Sequence, residues 1–129
     1  LTTAQVVNVG FRSRSEISHL IAASDVSINF SSEENLSMAI IESFAAGTPV
    51  IGLDSGGNKE IIESGQSGFL VQSSNELEDR ILELSSDSVT LGKFSAASLK
   101  HFRSNYAAKK VASEYLSLYK QRIGNHIKK

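Results

Sequence analysis

The sequence predicts an α/β fold in which short parallel strands alternate with helices. Three observations support this prediction. Short strand-like segments are each followed by a segment with the apolar spacing of a helix, and this order occurs four times. Three of these segments are almost continuously apolar, as expected for strands covered on both faces. The 129 residues, 40% of them hydrophobic and 21% charged, suffice for one globular domain with a substantial core.

The four predicted strands are bounded by Gly, Pro or polar residues, which favour turns. They cover residues 6–9, 25–30, 50–53 and 69–71. Gly10 closes the first of them, and Pro49 precedes the third. Parallel strands cannot be joined by a tight turn, so right-handed helical crossovers are expected between them. In such a sheet, ligands bind at the carboxyl ends of the strands.

Helix starts and ends carry their own signals. The pattern Ser13-x-x-Glu16 is a capping box, and Asn75-x-x-Glu78 predicts a second capped start. Gly47 suits the left-handed residue that ends a helix. Further helices are predicted over residues 36–46, 58–64, 89–103 and 107–123.

The chain divides into two parts by structure and by charge. We expect residues 1–88 to contain the sheet and residues 89–129 to be a helical segment of the same domain. Residues 1–92 hold four basic and thirteen acidic side chains, whereas residues 93–129 hold nine basic side chains and one acidic one. The basic segment has three interpretations: a solvated helix face, packing against a domain outside this chain, or contact with anionic lipid. Nucleic-acid binding is disfavoured, because no stacking platform or groove-reading motif accompanies the basic residues.

Composition excludes several classes of site. The absence of cysteine excludes disulfides, thiolate metal sites and a cysteine nucleophile. No apolar run approaches the length of about 18 residues that a membrane span needs, and no signal peptide is visible. His19, His101 and His126 are far apart in sequence, and no His/Asp ligand cluster predicts a metal. Because the chain begins at Leu1 and its one methionine is Met38, we expect it to be a piece of a longer protein.

The densest candidate site lies where the second predicted strand ends. Glu34 follows that strand, and Glu42 comes eight positions later, in the next predicted helix. Between them lie the N–H groups of the helix start, which favour a phosphate. Carboxylates on both sides of an anion site suit a nucleotide sugar, whose hydroxyls lie on either side of its phosphates. The spacing alone also fits a simpler interpretation. In it, the acidic residue near the helix start only interacts with the helix dipole, and Glu42 is an ordinary solvated helix residue.

The segment 31–71 resembles the donor-binding segment of retaining GT-B glycosyltransferases, the group 1 or family 4 class. The resemblance is carried in order by Glu34-x7-Glu42, Ser43 to Ile51, Gly56 to Ile62, and Gly65 to Val71. With weaker matches upstream, it covers about residues 5–85. The family usually has Gly where this chain has Asn35, and Gly or Pro at Ser37. The resemblance implies a partial Rossmann-like domain from the C-terminal half of a GT-B protein, truncated on its N-terminal side and ending in two helices.

The resemblance also implies roles for individual residues. Glu34 is the catalytic candidate, which would face the donor sugar, and Glu42 would hydrogen-bond the ribose. The backbone around the start of the helix would approach the diphosphate, and the peptide after the first predicted strand would border the base. The implied donor-binding residues are Glu42, Asn35, Leu36, Ser37, Met38, Phe11 and Arg12.

The implied function is a hexosyl-type transfer from a nucleotide sugar to an acceptor hydroxyl with retention, in polysaccharide, lipopolysaccharide or glycolipid synthesis. No cofactor or metal is expected. The implied partners are an acceptor glycan or glycolipid and an N-terminal domain absent from this chain. A cytoplasmic location follows, with peripheral contact at the inner face of the membrane as an option. In the family, a Gly-rich strand and a Lys/Arg pair bind the diphosphate, and this chain contains neither. The isolated chain is therefore expected to be inactive.

Two alternatives stay open. The chain could be a non-catalytic nucleotide-binding or interaction module of the same fold, or part of a GT-B-like sugar-nucleotide epimerase.

Overall fold

A computed structural model describes residues 5–33 and 35–126 of the chain. Within these residues, three strands and six helices follow one another along the chain. The elements are α1 (Arg14–Ala22), β1 (Ser27–Asn29), α2 (Met38–Ala46), β2 (Val50–Leu53), α3 (Asn58–Ile61), β3 (Gly68–Val71), α4 (Ser74–Ser86), α5 (Ser88–Asn105) and α6 (Ala108–His126). In this part of the chain, no helix is both long and apolar enough to cross a membrane.

The strands form one parallel sheet with the order β1-β2-β3. Ile28, Ile51 and Phe69 are aligned across the three strands. Helix α2 connects β1 to β2, and α3 connects β2 to β3. The predicted parallel α/β architecture is therefore confirmed, with strands at 27–29, 50–53 and 68–71.

The strand predicted at residues 6–9 is wrong. These residues are irregular, and the side chains of Val6 and Val7 are 92% and 68% exposed. A β-branched run favours extended backbone, but a parallel strand forms only where a neighbouring strand accepts its hydrogen bonds. Among the described residues, this segment pairs with no strand of the sheet.

The capping box at the start of α1 is confirmed. The backbone N–H of Glu16 donates to Ser13 Oγ at 3.3 Å, and the N–H of Ser13 donates to Glu16 Oε2 at 2.9 Å. The hydroxyl of Ser13 also donates to the same carboxylate at 2.7 Å. These hydrogen bonds from the Ser13 hydroxyl and backbone hold the pKa of Glu16 below its usual value.

Helix α4 begins two residues earlier than predicted. Ser73, not Asn75, caps it, because Ser73 Oγ accepts the N–H of Glu76 at 3.3 Å. The Glu76 carboxylate in turn accepts the N–H of Gln72 at 2.8 Å. Two Ser/Asn-x-x-Glu patterns overlap in this stretch, and the sequence pattern alone does not choose between them.

The core lies on both faces of the sheet. On one face, α2 and α3 enclose a cluster of Ile40, Ile41, Phe44, Val50, Ile61 and Ile62. On the other, α4 covers a cluster of Ile51, Phe69, Val71 and Leu84. Helix α5 serves both clusters, because its Phe94 packs on Phe69 with ring centroids 4.8 Å apart while its Phe102 packs against the first cluster. The basic C-terminal segment thus begins with a helix that completes the core.

Gly68 lies where β3 comes very close to the backbone of β2. A Cβ atom there would overlap the carbonyl oxygen of Val50 on the neighbouring strand. Gly92 is different, since a Cβ atom at this position of α5 would meet nothing within 4 Å. These two glycines form a matched pair for testing the packing of the sheet.

We expect Gly68→Ala to lower the free energy of unfolding by more than about 2 kcal/mol, because β2 and β3 must move apart. Gly92→Ala should raise it by about 0.5–1 kcal/mol, because alanine favours a helix interior. Urea denaturation monitored by circular dichroism measures both. An unchanged midpoint for Gly68→Ala would contradict the observed strand register.

Candidate functional site

The candidate site lies at the edge of the sheet where β1 and β2 end. Strand β1 ends at Asn29, and α2 starts at Met38. The side chain of Asn29 donates from Nδ2 to Ser37 Oγ at 2.8 Å. Ser37 is only 4% exposed. The end of the strand is therefore fixed directly to the start of the helix.

Among the residues that the structure describes, no side-chain cap is found at the N-terminus of α2. Ser37 occupies the cap position, but its hydroxyl bonds Asn29 and makes no cap hydrogen bond to the helix. The first turn also contains no acidic side chain. The neighbouring Leu36 and Met38 are each 56% exposed. This helix end combines accessible residues with the positive end of the helix dipole, which suits an anion.

Glu42 lies one turn further along α2, about 6 Å along the axis from Met38. Its side chain is 42% exposed, and Oε1 lies 3.4 Å from Nη2 of Arg14. Arg14 is the first residue of α1, and the capping box at Ser13 fixes where that helix begins. This contact places the start of α1 beside the second turn of α2, with the Glu42 carboxylate partly exposed.

The other predicted site residues are less well tied to Glu42. Phe11 is 99% exposed, and Arg12 lines a shallow cleft on α1 with Glu16, His19 and Leu20. Asn35 is exposed. Glu34, the catalytic candidate, lies outside the described residues, so its role stays a prediction.

The sequence analysis did not predict the contact of Arg14 with Glu42, in which the Arg14 side chain stays 93% exposed. Its proximity to Glu42 joins positions 28 residues apart in the chain. The capping box indicates that a helix begins at Arg14. It does not indicate that the Arg14 side chain contacts α2, because that contact depends on how α1 packs against α2.

A second missed residue, Asn58, holds two loops together. Its side chain is fully buried, and Nδ2 donates to the carbonyls of Leu53 at 3.0 Å and Ser31 at 3.4 Å. The hydroxyl of Ser55 donates to the same Ser31 carbonyl at 3.2 Å. Asn58 therefore connects the loop after β1 with the loop after β2. The available signal in the sequence was an asparagine directly after Gly56-Gly57.

Two cations near this edge of the sheet lie beside carboxylates. Arg14 contacts Glu42, and Lys59 Nζ lies 3.2 Å from Asp54 Oδ1 at the end of β2. Each pair brings one positive and one negative charge to this edge. Within the described residues, no group of three or more His, Cys, Asp or Glu side chains could hold a metal ion.

His101 has a packing role. Its Nε2 lies 3.0 Å from the carbonyl oxygen of Ile61, and its Nδ1 lies 3.2 Å from Glu63 Oε1. The ring meets Phe44 and Tyr106 edge-on, with centroids 5.5 Å away in both cases. His101 thus joins α5 to α2 and to the end of α3.

The fold and this site define a Rossmann-like α/β domain with a helix N-terminus at the ligand edge. A family profile described as "Glycosyl transferases group 1" matches residues 1–105. The chain belongs to this family.

Known proteins support the assignment. The spore coat protein SA of Bacillus subtilis is 31% identical over 120 residues, which are 90% of this chain and 32% of that protein. The structure of sucrose-phosphate synthase from Thermosynechococcus elongatus superimposes with a TM-score of 0.81 at 24% identity, covering 91% of this chain and 30% of that one. Anabaena HepE, solved with UDP-glucose, gives a TM-score of 0.77 at 24% identity over 88% of this chain and 31% of its own.

These structural matches show that the fold is that of GT-B glycosyltransferases. The chain spans about a third of the length of each of these three proteins.

We expect Asn58→Ala to lower the free energy of unfolding by about 1–3 kcal/mol, because buried carbonyls lose their donor. Asn58→Asp should lower it more at neutral pH, since a carboxylate would face two carbonyl oxygens. That extra loss should shrink as the pH falls, because protonation restores a donor.

The measurement is urea denaturation at pH 7 and pH 5. Asn75→Ala is the matched control, because Asn75 is exposed and does not cap α4. A stability of Asn58→Ala equal to that of the control would contradict the connecting role of Asn58.

Proposed function

We propose that the protein containing this chain is a glycosyltransferase that uses a nucleotide-sugar donor, and that this chain supplies much of the donor site. The observation that carries the proposal is the placement of Glu42 and the uncapped start of α2 at the carboxyl edge of the sheet. The family membership of the chain gives this placement its chemical meaning. In an open α/β sheet, this edge is where ligands bind.

Different groups of the site would bind different parts of the donor. The diphosphate would accept hydrogen bonds from the N–H groups at the start of α2, with the Met38 peptide among them. The Glu42 carboxylate would accept hydrogen bonds from the ribose hydroxyls. Arg14 contacts one oxygen of this carboxylate, so it would hold Glu42 in orientation when the ribose arrives.

The finer features of the reaction are part of the proposal. The bond between the anomeric carbon and the diphosphate oxygen breaks, and a bond from that carbon to the acceptor oxygen forms with retention. The acceptor proton passes to the leaving diphosphate, so no separate base is required. The sugar would be a hexose, and the acceptor a glycan or glycolipid bound by an N-terminal domain. Neither a cofactor nor a metal enters this scheme.

The proposed setting is the cytoplasm, with peripheral contact at the inner face of the membrane as one of the three interpretations of the basic C-terminal segment. HepE has been solved with UDP-glucose. UDP is therefore a reasonable first probe for this protein.

We expect Glu42→Ala in the full-length protein to raise the Kd for UDP about 10- to 100-fold, because a hydrogen bond to a charged group is lost. Isothermal titration calorimetry measures this change. Glu114→Ala is the matched control, since this carboxylate lies on α6 and pairs with Lys110. Equal UDP affinity for the Glu42 variant and the control would remove Glu42 from the ribose site.

For Glu34→Ala we expect a fall in sugar transfer of about 100-fold or more, because the group facing the reacting sugar is removed. UDP affinity should stay within about threefold of wild type, because Glu34 would contact the sugar and not the nucleotide. The measurement combines UDP calorimetry with release of UDP from a panel of donors. Glu33→Ala, one residue away in the same loop, is the control.

Full turnover by the Glu34 variant would exclude the catalytic role. If the wild-type protein bound UDP but transferred no sugar from any donor, the proposed activity would be wrong and the chain would be a binding module.

A further inference from the structure

The side chain of Asn29 holds both ends of the loop between β1 and α2. Its Oδ1 accepts the backbone N–H of Ser31 at 3.2 Å, and its Nδ2 donates to Ser37 Oγ at 2.8 Å. A backbone N–H can only donate, so the contact with Ser31 fixes which atom of the Asn29 amide is the oxygen. One side chain at the end of β1 therefore closes residues 31–37, which we call the 31–37 loop.

A second set of hydrogen bonds fixes the start of the 31–37 loop from the neighbouring strand. The carbonyl oxygen of Ser31 accepts from Ser55 Oγ at 3.2 Å and from Asn58 Nδ2 at 3.4 Å. Ser55 and Asn58 both follow β2, so these bonds join the loop after β1 to the loop after β2. Ser31 is thus bonded through both its N–H and its C=O, which limits rotation of its backbone.

The middle of the 31–37 loop depends on these attachments more than on packing. The exposed side chains among its described residues are those of Ser32, Glu33, Asn35 and Leu36. Helix α2 is held differently, because Ile40, Ile41 and Phe44 anchor it in the core. Removal of the Asn29 side chain would therefore release the loop while α2 stays in place.

We propose that Asn29 is a positioning residue for sugar transfer, which acts on Glu34 through the 31–37 loop. The inference rests on the proposed function, in which Glu34 faces the donor sugar. In the chain, Glu34 lies three residues after Ser31 and three residues before Ser37, the two points at which Asn29 holds the loop. A group that acts on a reacting sugar must be held to within about 0.5 Å of its productive position, which requires support from groups behind it.

The separate anchoring of α2 predicts separate effects on transfer and on binding. Without the Asn29 side chain, Glu34 would lose its placement, whereas the nucleotide contacts assigned to α2 would persist. We expect Asn29→Ala in the full-length protein to lower kcat about 10- to 100-fold at saturating donor. The Kd for UDP should stay within about threefold of wild type. UDP release from a donor that the wild-type protein consumes measures kcat, and calorimetry measures the Kd.

A control variant separates positioning from a loss of stability. Thr48→Ala removes a buried hydroxyl that donates to the carbonyl of Ile21 at 2.9 Å. Thr48 precedes β2, so it lies at the opposite edge of the sheet from the 31–37 loop. This variant should be destabilised as Asn29→Ala is, because each loses hydrogen bonds, but its kcat should stay within about twofold of wild type. Equal losses of kcat in the two variants would overturn the inference.

Ser55→Ala tests the same loop at a position that is only half-buried, so the variant is expected to fold. It removes one of the two donors to the Ser31 carbonyl. We expect a smaller loss of kcat than for Asn29→Ala, about 3- to 10-fold, again with little change in the Kd for UDP. Wild-type kcat in both Ser55→Ala and Asn29→Ala would overturn the inference.

A double-mutant cycle shows whether Asn29 acts through Glu34. Adding Asn29→Ala to Glu34→Ala should change kcat by less than about twofold, because the group that Asn29 positions is already gone. The same fold loss in the wild-type and Glu34→Ala backgrounds would overturn the inference. A wild-type protein that transfers no sugar from any donor would instead refute the proposed function.

Amide hydrogen exchange tests the hold on the loop without any sugar transfer. We expect Asn29→Ala to speed exchange of the Ser31 amide at least about tenfold and to leave the Ile41 amide of α2 unchanged. Unchanged exchange at Ser31 would overturn the inference even if kcat fell. Faster exchange at both amides would assign the loss of kcat to displacement of α2, which would also overturn it.

Discussion

The pairing of parallel strands is the constraint on which the rest of this structure depends. The hydrogen bonds of a parallel strand come only from strands that are distant in sequence, so each strand forms only when its neighbours are in place. Gly68 shows how closely the partners approach, because any side chain there would displace Val50. Because all three strands run in one direction, the loops that follow β1 and β2 meet at one edge, where Asn58 joins them.

The same direction of the strands places the start of α2 at that edge. The helix follows β1, so its first turn must stand beside the end of the strand. Asn29 strengthens this arrangement by donating a hydrogen bond to the Ser37 hydroxyl, which makes no cap hydrogen bond to the helix. An isolated helix would be less stable for this, since a missing cap costs about 1 kcal/mol. In the proposed donor site, the backbone N–H groups of this first turn would bind the diphosphate instead.

Features with a local cause were predictable from sequence. The capping box at Ser13 and the helix end at Gly47 depend on residues a few positions apart, and both are present in the structure. Features that depend on residues far apart in the sequence were not predictable. The β-branched segment 6–9 has the local preference of a strand, but the partner that would confirm it is not part of the described sheet. The proximity of Arg14 to Glu42 likewise follows from how two helices pack, which no local pattern records.

The electrostatics of the site limit what these residues can do in the proposed reaction. A helix N-terminus carries the equivalent of about half a positive charge, whereas a leaving nucleoside diphosphate carries more than one negative charge. Arg14 and Lys59 do not close this difference, because each is already matched by a carboxylate. The excess of acidic side chains in residues 1–92 makes this shortage of positive charge larger. In the proposed enzyme, these residues would therefore orient the nucleotide and its sugar, while cations from elsewhere in the protein would stabilise the departing diphosphate.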